Sequence, residues 1–255
     1  MRLRSLVGIV PLFAVEVLEE EQLAKLPGFH KRLQWYLRNR ADLAQSVYNA
    51  DTRGGDGHTH RLLAITTAER LTRVLRFVLD ENEFLSPFGV RSLSRRYLDQ
   101  PFVFQDGDEE RVVRYVPGDS DSRMFGGNSN WRGPIWLPMN YLLIEALERY
   151  DHFYGDDLRV ECPTGSGRLL RLRQVAVEIA RRIARLFLPD ETGVRPCQKR
   201  APDAIFGPHG KDLVLFHEYF DGDTGRGLGA SHQTGWTALI VRLLEDLVRE
   251  DAGGF

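Results

Sequence analysis

The chain has 255 residues, 42% of them hydrophobic and 27% charged, a composition that supports a folded domain with its own core and excludes a disordered polymer. Its 34 basic and 36 acidic residues leave a net charge of −2, which excludes nucleic-acid binding driven by bulk charge. Two cysteines, Cys162 and Cys197, exclude a disulfide scaffold, and no apolar run reaches the roughly 18 residues of a membrane span.

The opening MRLRSLVGIVPLFAVEVLEEE has the basic start and apolar run of a signal peptide. Pro11 interrupts that run, Glu16 and Glu19 to Glu21 follow it at once, and no small-residue cleavage site appears. The expectation is a first helix over about 11–25 with Pro11 in its first turn, and a cytoplasmic location by default. A second helix is predicted over about 29–40, with Leu33, Tyr36 and Leu37 on one side. A third is predicted over about 65–82, where Leu71, Val74, Leu75, Val78 and Leu79 recur at helical spacing behind a possible Thr67 cap. Residues 83–133 lack helical periodicity. They carry one short predicted strand pair around 102–105 and 111–116 and a long Gly-rich stretch, and a connection of that length usually has a function.

Three more helices follow, at about 138–152 with Pro138 at its start, at 169–187 with two adjoining apolar rows, and at 232–249 with Trp236, Leu239, Ile240, Leu243 and Leu244 together. Many helices and few strands disfavour parallel α/β folds. The expected class is therefore all-α, with about six long helices, long loops and little strand.

Several local patterns bear on chemistry. His58 and His60 are spaced as a pair, with Asp51 and Asp56 nearby, but no further ligand motif completes a zinc site, so a polar loop is the preferred reading and no metal is expected. Neither FGGNSN (125–130) nor CPTGSG (162–167) has phosphate-loop spacing, and the second is best read as a turn before a helix. NWRGPIW (130–136) places Trp131 and Trp136 around Arg132. Indole faces beside polar groups suit sugars, although two buried core tryptophans explain the pattern equally well. In LFHEYFDGDTGRGLGASHQTGW (215–236), Glu218 sits among aromatic residues just before an acidic glycine-rich turn, the setting of a general base acting on water. Asp221 and Asp223 could instead hold calcium, but DGDTGRGLG lacks the acidic residue that closes an EF-hand loop.

Five longer strings carry a family resemblance: RSLVGIVPLFAVEVL (4–18), LDENEFLSPFGVRSLSRRY (79–97), MFGGNSNWRGPIWLPMNYLLIEAL (124–147), VECPTGSG (160–167) and EYFDGDTGRGLGASHQTGWTALI (218–240). Together they resemble the C-terminal part of glycoside hydrolase family 63, the processing α-glucosidase-like group, and the related mannosylglycerate hydrolase-like domain. The resemblance implies an inverting α-glycosidase built on an (α/α)6 toroid, with one Asp as general acid and one Glu as general base. Residues 1–255 would be the C-terminal portion of that catalytic domain, since the toroid has twelve helices and about six are counted here.

By the same resemblance Glu218 is the base, although His217 before it and Asp221 after EYF depart from the usual pattern. Trp131, Arg132, Trp136 and Trp236 would line the sugar subsite, with Asn128, Asp119 and Asp121 as weaker hydroxyl-binding candidates. The segment carrying the acid would lie upstream of Met1. The implied partners are an α-linked glucoside, oligosaccharide or mannosylglycerate-like substrate and an N-terminal half-domain, with no organic cofactor. The alternative is a non-catalytic remnant, or a subunit that completes a split toroid.

Overall fold

The computed structural model describes residues 3–40, 48–53, 59–124, 129–199 and 213–253, with residues 48–53 and 59 described by backbone alone. Two 3₁₀ turns, Leu6–Gly8 and Val10–Phe13, lead into strand β1 (Val15–Glu19) and helices α1 (Glu20–Lys25) and α2 (Pro27–Asn39). Strands β2 (Tyr48–Arg53) and β3 (Thr59–Ala64) follow, then α3 (Ala68–Val78). The short hairpin β4 (Leu85–Ser86) and β5 (Gly89–Val90) precedes a second hairpin, β6 (Phe102–Asp106) and β7 (Glu109–Val113). After α4 (Leu137–Tyr154) come β8 (Arg159–Glu161), β9 (Leu169–Arg171) and α5 (Leu172–Ala184), and the described chain ends with β10 (Tyr219–Phe220), β11 (Gly227–Leu228) and α6 (Leu239–Asp251).

The molecule is helix-rich, and its strands form only small antiparallel sheets: one of three strands in the order β1-β3-β2, and the pairs β4-β5, β6-β7, β8-β9 and β10-β11. Helices α4, α5 and α6 pack on one another, and α4 also meets β1. Leu71, Leu75 and Val78 of α3, Leu143 and Leu147 of α4, and Val175, Ile179 and Ile183 of α5 meet in one core. At the start of α3 the Thr67 hydroxyl accepts the Arg70 N–H at 3.3 Å, as the sequence suggested, and Glu69 lies favourably in the first turn.

The helix expected over 11–25 is not formed. Val15 and Val17 are buried and alternate with exposed Glu16, a two-residue period that favours a strand for β-branched residues. Pairing with Leu62 and Ala64 covers that strand, and the helix begins only at Glu20. The helix expected over 169–187 opens instead with β9, whose Leu169 and Arg171 pair with Glu161 and Arg159. The helix expected from 232 starts at Leu239, because the Trp236 and Thr237 side chains reach back to the carbonyls of Glu218 and His217. The strand pair expected in the long loop is present as β6 and β7.

Candidate active site

Three loop segments converge through backbone hydrogen bonds. Ile135 and Phe220 exchange two of them, at 2.8 and 3.0 Å, and Gly222 N–H donates to Pro117 at 2.9 Å. These bonds join the loop before α4 to β10 across more than eighty residues and bring the segments around 117, 131 and 218 together. Close approach needs glycine here. A Cβ on Gly222 would lie 2.6 Å from the Gly133 carbonyl oxygen, and one on Gly133 would lie 2.6 Å from that of Val116.

Glu218 is half-buried at the end of this junction. Its Oε1 accepts the Ser129 hydroxyl at 2.5 Å and its Oε2 accepts the Ala230 N–H at 3.1 Å. The backbone is fixed as well: Glu218 N–H donates to Ala230 at 2.9 Å, and the Trp236 indole N–H donates to the Glu218 carbonyl at 3.1 Å. Each carboxylate oxygen therefore has one partner and keeps lone-pair capacity for water or substrate.

Beside the carboxylate stands an aromatic stack. Trp131 lies over Trp136 at 3.9 Å with rings 1° from parallel, Tyr219 stacks against Trp136 at 4.8 Å, and Trp236 meets Trp136 edge-on at 6.1 Å. Trp136 is 2% exposed, and its indole N–H is used by the Asn130 carbonyl at 3.0 Å. Trp131 and Trp236 are half-buried and present the accessible indole surface. Arg132 is also buried. Its guanidinium reaches Asp121 at 2.7 Å and the Ser120 hydroxyl at 3.0 Å, while Asn130 Oδ1 accepts its backbone N–H at 2.9 Å.

Asp121 is shared between Arg132 and Arg114, and these guanidinium hydrogen bonds hold its carboxyl below the usual carboxylate range against a desolvation effect in the other direction. Asp119 is exposed and lies 3.5 Å from Arg226. Burial, together with the nearby charges of Asp119 and Glu218, pushes the Tyr219 hydroxyl up to about 12, so Tyr219 is a neutral donor at physiological pH. Asn128, His58 and Asp56, and the side chain of Asp51, lie outside the described residues.

Behind the acidic turn, Asp223 Oδ1 accepts from Arg91 at 3.1 Å and from the Tyr115 hydroxyl at 2.9 Å. Asp221 Oδ1 accepts the N–H groups of Asp223 and Thr224, at 3.0 and 2.8 Å. Both carboxylates thus shape the turn. The glycine loop before β9 is filled in a similar way, because Glu161 accepts the Gly165 and Gly167 N–H groups at 2.9 and 2.5 Å. Sequence reasoning did not single out Ser129, Tyr219 or Arg91. Ser129 carried the clearest available signal, a hydroxyl in the Gly-rich loop two residues before Trp131.

The sequence profile of the mannosylglycerate hydrolase MGH1-like glycoside hydrolase domain matches residues 33–237. The chain is 48% identical to the uncharacterized protein YMR196W of Saccharomyces cerevisiae over 247 residues, which cover 96% of this chain and 23% of that protein. It is 25% identical to a protein named "Probable mannosyl-oligosaccharide glucosidase" of Schizosaccharomyces pombe over 250 residues, 92% of this chain and 24% of that protein. It is 26% identical to the mannosyl-oligosaccharide glucosidase of Saccharomyces cerevisiae over 176 residues, 69% of this chain and 15% of that protein. The chain thus spans about a quarter or less of the length of these curated relatives. No solved structure matches it.

Proposed function

Because this chain belongs to the mannosylglycerate hydrolase MGH1-like glycoside hydrolase family, we propose that it supplies the general base and part of the sugar subsite of an inverting α-glycosidase. The observation that carries the reading is the setting of Glu218, a half-buried carboxylate oriented by Ser129 and Ala230 beside the Trp131–Trp136–Tyr219 stack. Glu218 takes a proton from the attacking water as its oxygen bonds to the anomeric carbon. Trp131 and Trp236 cover an apolar sugar face, and exposed Asp119 meets a hydroxyl, a role the family resemblance also gives Asn128. Arg132, Asp121 and Trp136 act from beneath, the first two fixing the loop and Trp136 backing the Trp131 ring.

Inversion requires a second carboxyl about 6.5–9.5 Å from the base, to protonate the departing oxygen. In this reading that acid comes from an N-terminal half-domain, with which the helices described here complete an (α/α)6 toroid. The substrate class is an α-linked glucoside, oligosaccharide or mannosylglycerate-like glycoside, and the names of the relatives make an oligosaccharide the first to assay.

The test is Glu218→Gln in the complete protein that carries this chain. Turnover falls on the order of 10²–10⁴-fold while sugar binding is kept, because the amide retains the shape and cannot accept the proton. Retained turnover removes Glu218 from the role.

A further inference from the structure

We propose that Glu19, His60 and His152 form a binding site for one divalent transition-metal ion of the zinc class. Glu19 ends β1 and stands opposite His60 of β3 in the antiparallel register, so the backbone ladder sets the spacing of those two side chains. His152 comes from the last turn of α4, which packs on β1. The Glu19 carboxylate lies between the two rings: Oε2 is 2.6 Å from His60 Nδ1, and Oε1 is 2.6 Å from His152 Nε2. The rings meet edge-on with centroids 5.2 Å apart. One donor atom from each residue lies within 4.8 Å of the other two.

Zinc–nitrogen and zinc–oxygen bonds of about 2.0–2.2 Å put tetrahedral ligand atoms about 3.4 Å apart, so a hydrogen-bonded oxygen–nitrogen pair at 2.6 Å opens by just under 1 Å and the wider separations close by at most about 1.4 Å. His152 can supply that movement, because its side chain is 55% exposed while that of His60 is 6% exposed. His152 also lines a cleft of about 490 Å³ between α4, α5 and α6, so its ring is reachable from solvent. Two neutral imidazoles and one carboxylate suit zinc, nickel or copper. They do not suit magnesium or calcium, which prefer shells made of oxygen. None of the three residues takes part in the hydrogen bonds around Glu218, so the site stands independently of the hydrolytic reading.

Titration calorimetry of the chelator-stripped chain with zinc chloride tests this, with magnesium chloride as the comparison. The expected result is one zinc per chain, protons released on binding, a raised melting temperature and no response to magnesium. His152→Ala, at an exposed position, weakens zinc binding on the order of 10–100-fold or more with an unchanged far-ultraviolet spectrum, and His30→Ala on α2 leaves it unchanged. Absence of a one-to-one zinc isotherm overturns the proposal. So does equal binding by the His152→Ala chain, or an equal loss in the His30→Ala chain.

Discussion

Gly229 has a φ of +69°, and a Cβ there would lie 2.6 Å from Glu218 Oε2. Glycine is therefore required twice, by the backbone and by the carboxylate it faces. Gly229→Ala carries a left-handed penalty of about 1–2 kcal/mol. It also moves the Glu218 carboxylate, and a displacement near 1 Å can cost on the order of 10²-fold in rate. The same Cβ would lie 2.7 Å from the buried Tyr219 ring, so the expected signature, read by kcat together with the melting temperature, is a large loss of turnover with a loss of stability beyond the backbone penalty. The neighbouring His217 gives a second test. Its ring is buried, neither ring nitrogen has a hydrogen-bond partner among the described residues, and desolvation lowers its pKa. The folded state thus disfavours the imidazolium, and the unfolded chain binds the proton more readily. The stabilisation is complete above the ordinary histidine value of about 6.5 and is lost as the pH falls through the lowered folded-state value. His217→Asn should flatten the dependence of urea unfolding free energy on pH below about 6.5. An unchanged slope would assign that dependence to other groups.

The start of α4 shows how far an element can be read from its sequence. Pro138 and the apolar spacing of Leu143, Ala146 and Leu147 identify the helix, and it forms within two residues of the expected bounds. Asn140 looks polar and unremarkable in that pattern, yet it is 1% exposed. Its Oδ1 accepts the Val90 N–H at 2.7 Å, and its amide donates to the Val90 and Trp136 carbonyls, each at 3.0 Å. One side chain therefore ties α4 to β5, whose next residue, Arg91, reaches Asp223 behind the acidic turn. Asn140→Leu leaves both polar groups of Val90 unpaired in the interior, at a cost of about 2–4 kcal/mol in urea unfolding. Periodicity does not reveal such long-range ties. It also failed over 15–19, where strand and helix compete and the deciding partner, β3, lies more than forty residues away. Glu218, Trp131 and Trp236 became candidates because their neighbours form long distinctive strings, and their roles rest on the proposal above. Ser129 was not, because its meaning depends on a contact across 89 residues.

At the scale of the whole molecule, the described helices leave apolar surface uncovered. No residue of α2 is buried, and Leu26 before it, Phe29 and Trp35 are each about half exposed or more. On α6, Val241 and Val248 are 60% and 69% exposed. Scattered apolar side chains are ordinary on a surface, but several on one helix face are the kind of surface that another protein covers. In the toroid proposed above, the neighbouring helices of an N-terminal half-domain cover these faces. The 255-residue chain alone should then self-associate and bind a hydrophobic dye, as read by size exclusion with light scattering. Trp35→Lys combined with Val248→Lys should reduce both effects without loss of helicity. The chain should also fall short of the complete protein in hydrolysing α-glucosides by at least roughly 10²–10⁴-fold, because the proposal places the proton donor on the N-terminal half. Adding the N-terminal half as a separate polypeptide should restore monodispersity and turnover together, because in that proposal it both covers these faces and supplies the acid. A monodisperse chain that turns over substrate at the rate of the complete protein would require the acid to lie among the carboxylates described here, with Asp119 the first to replace because it is exposed and close to Tyr219.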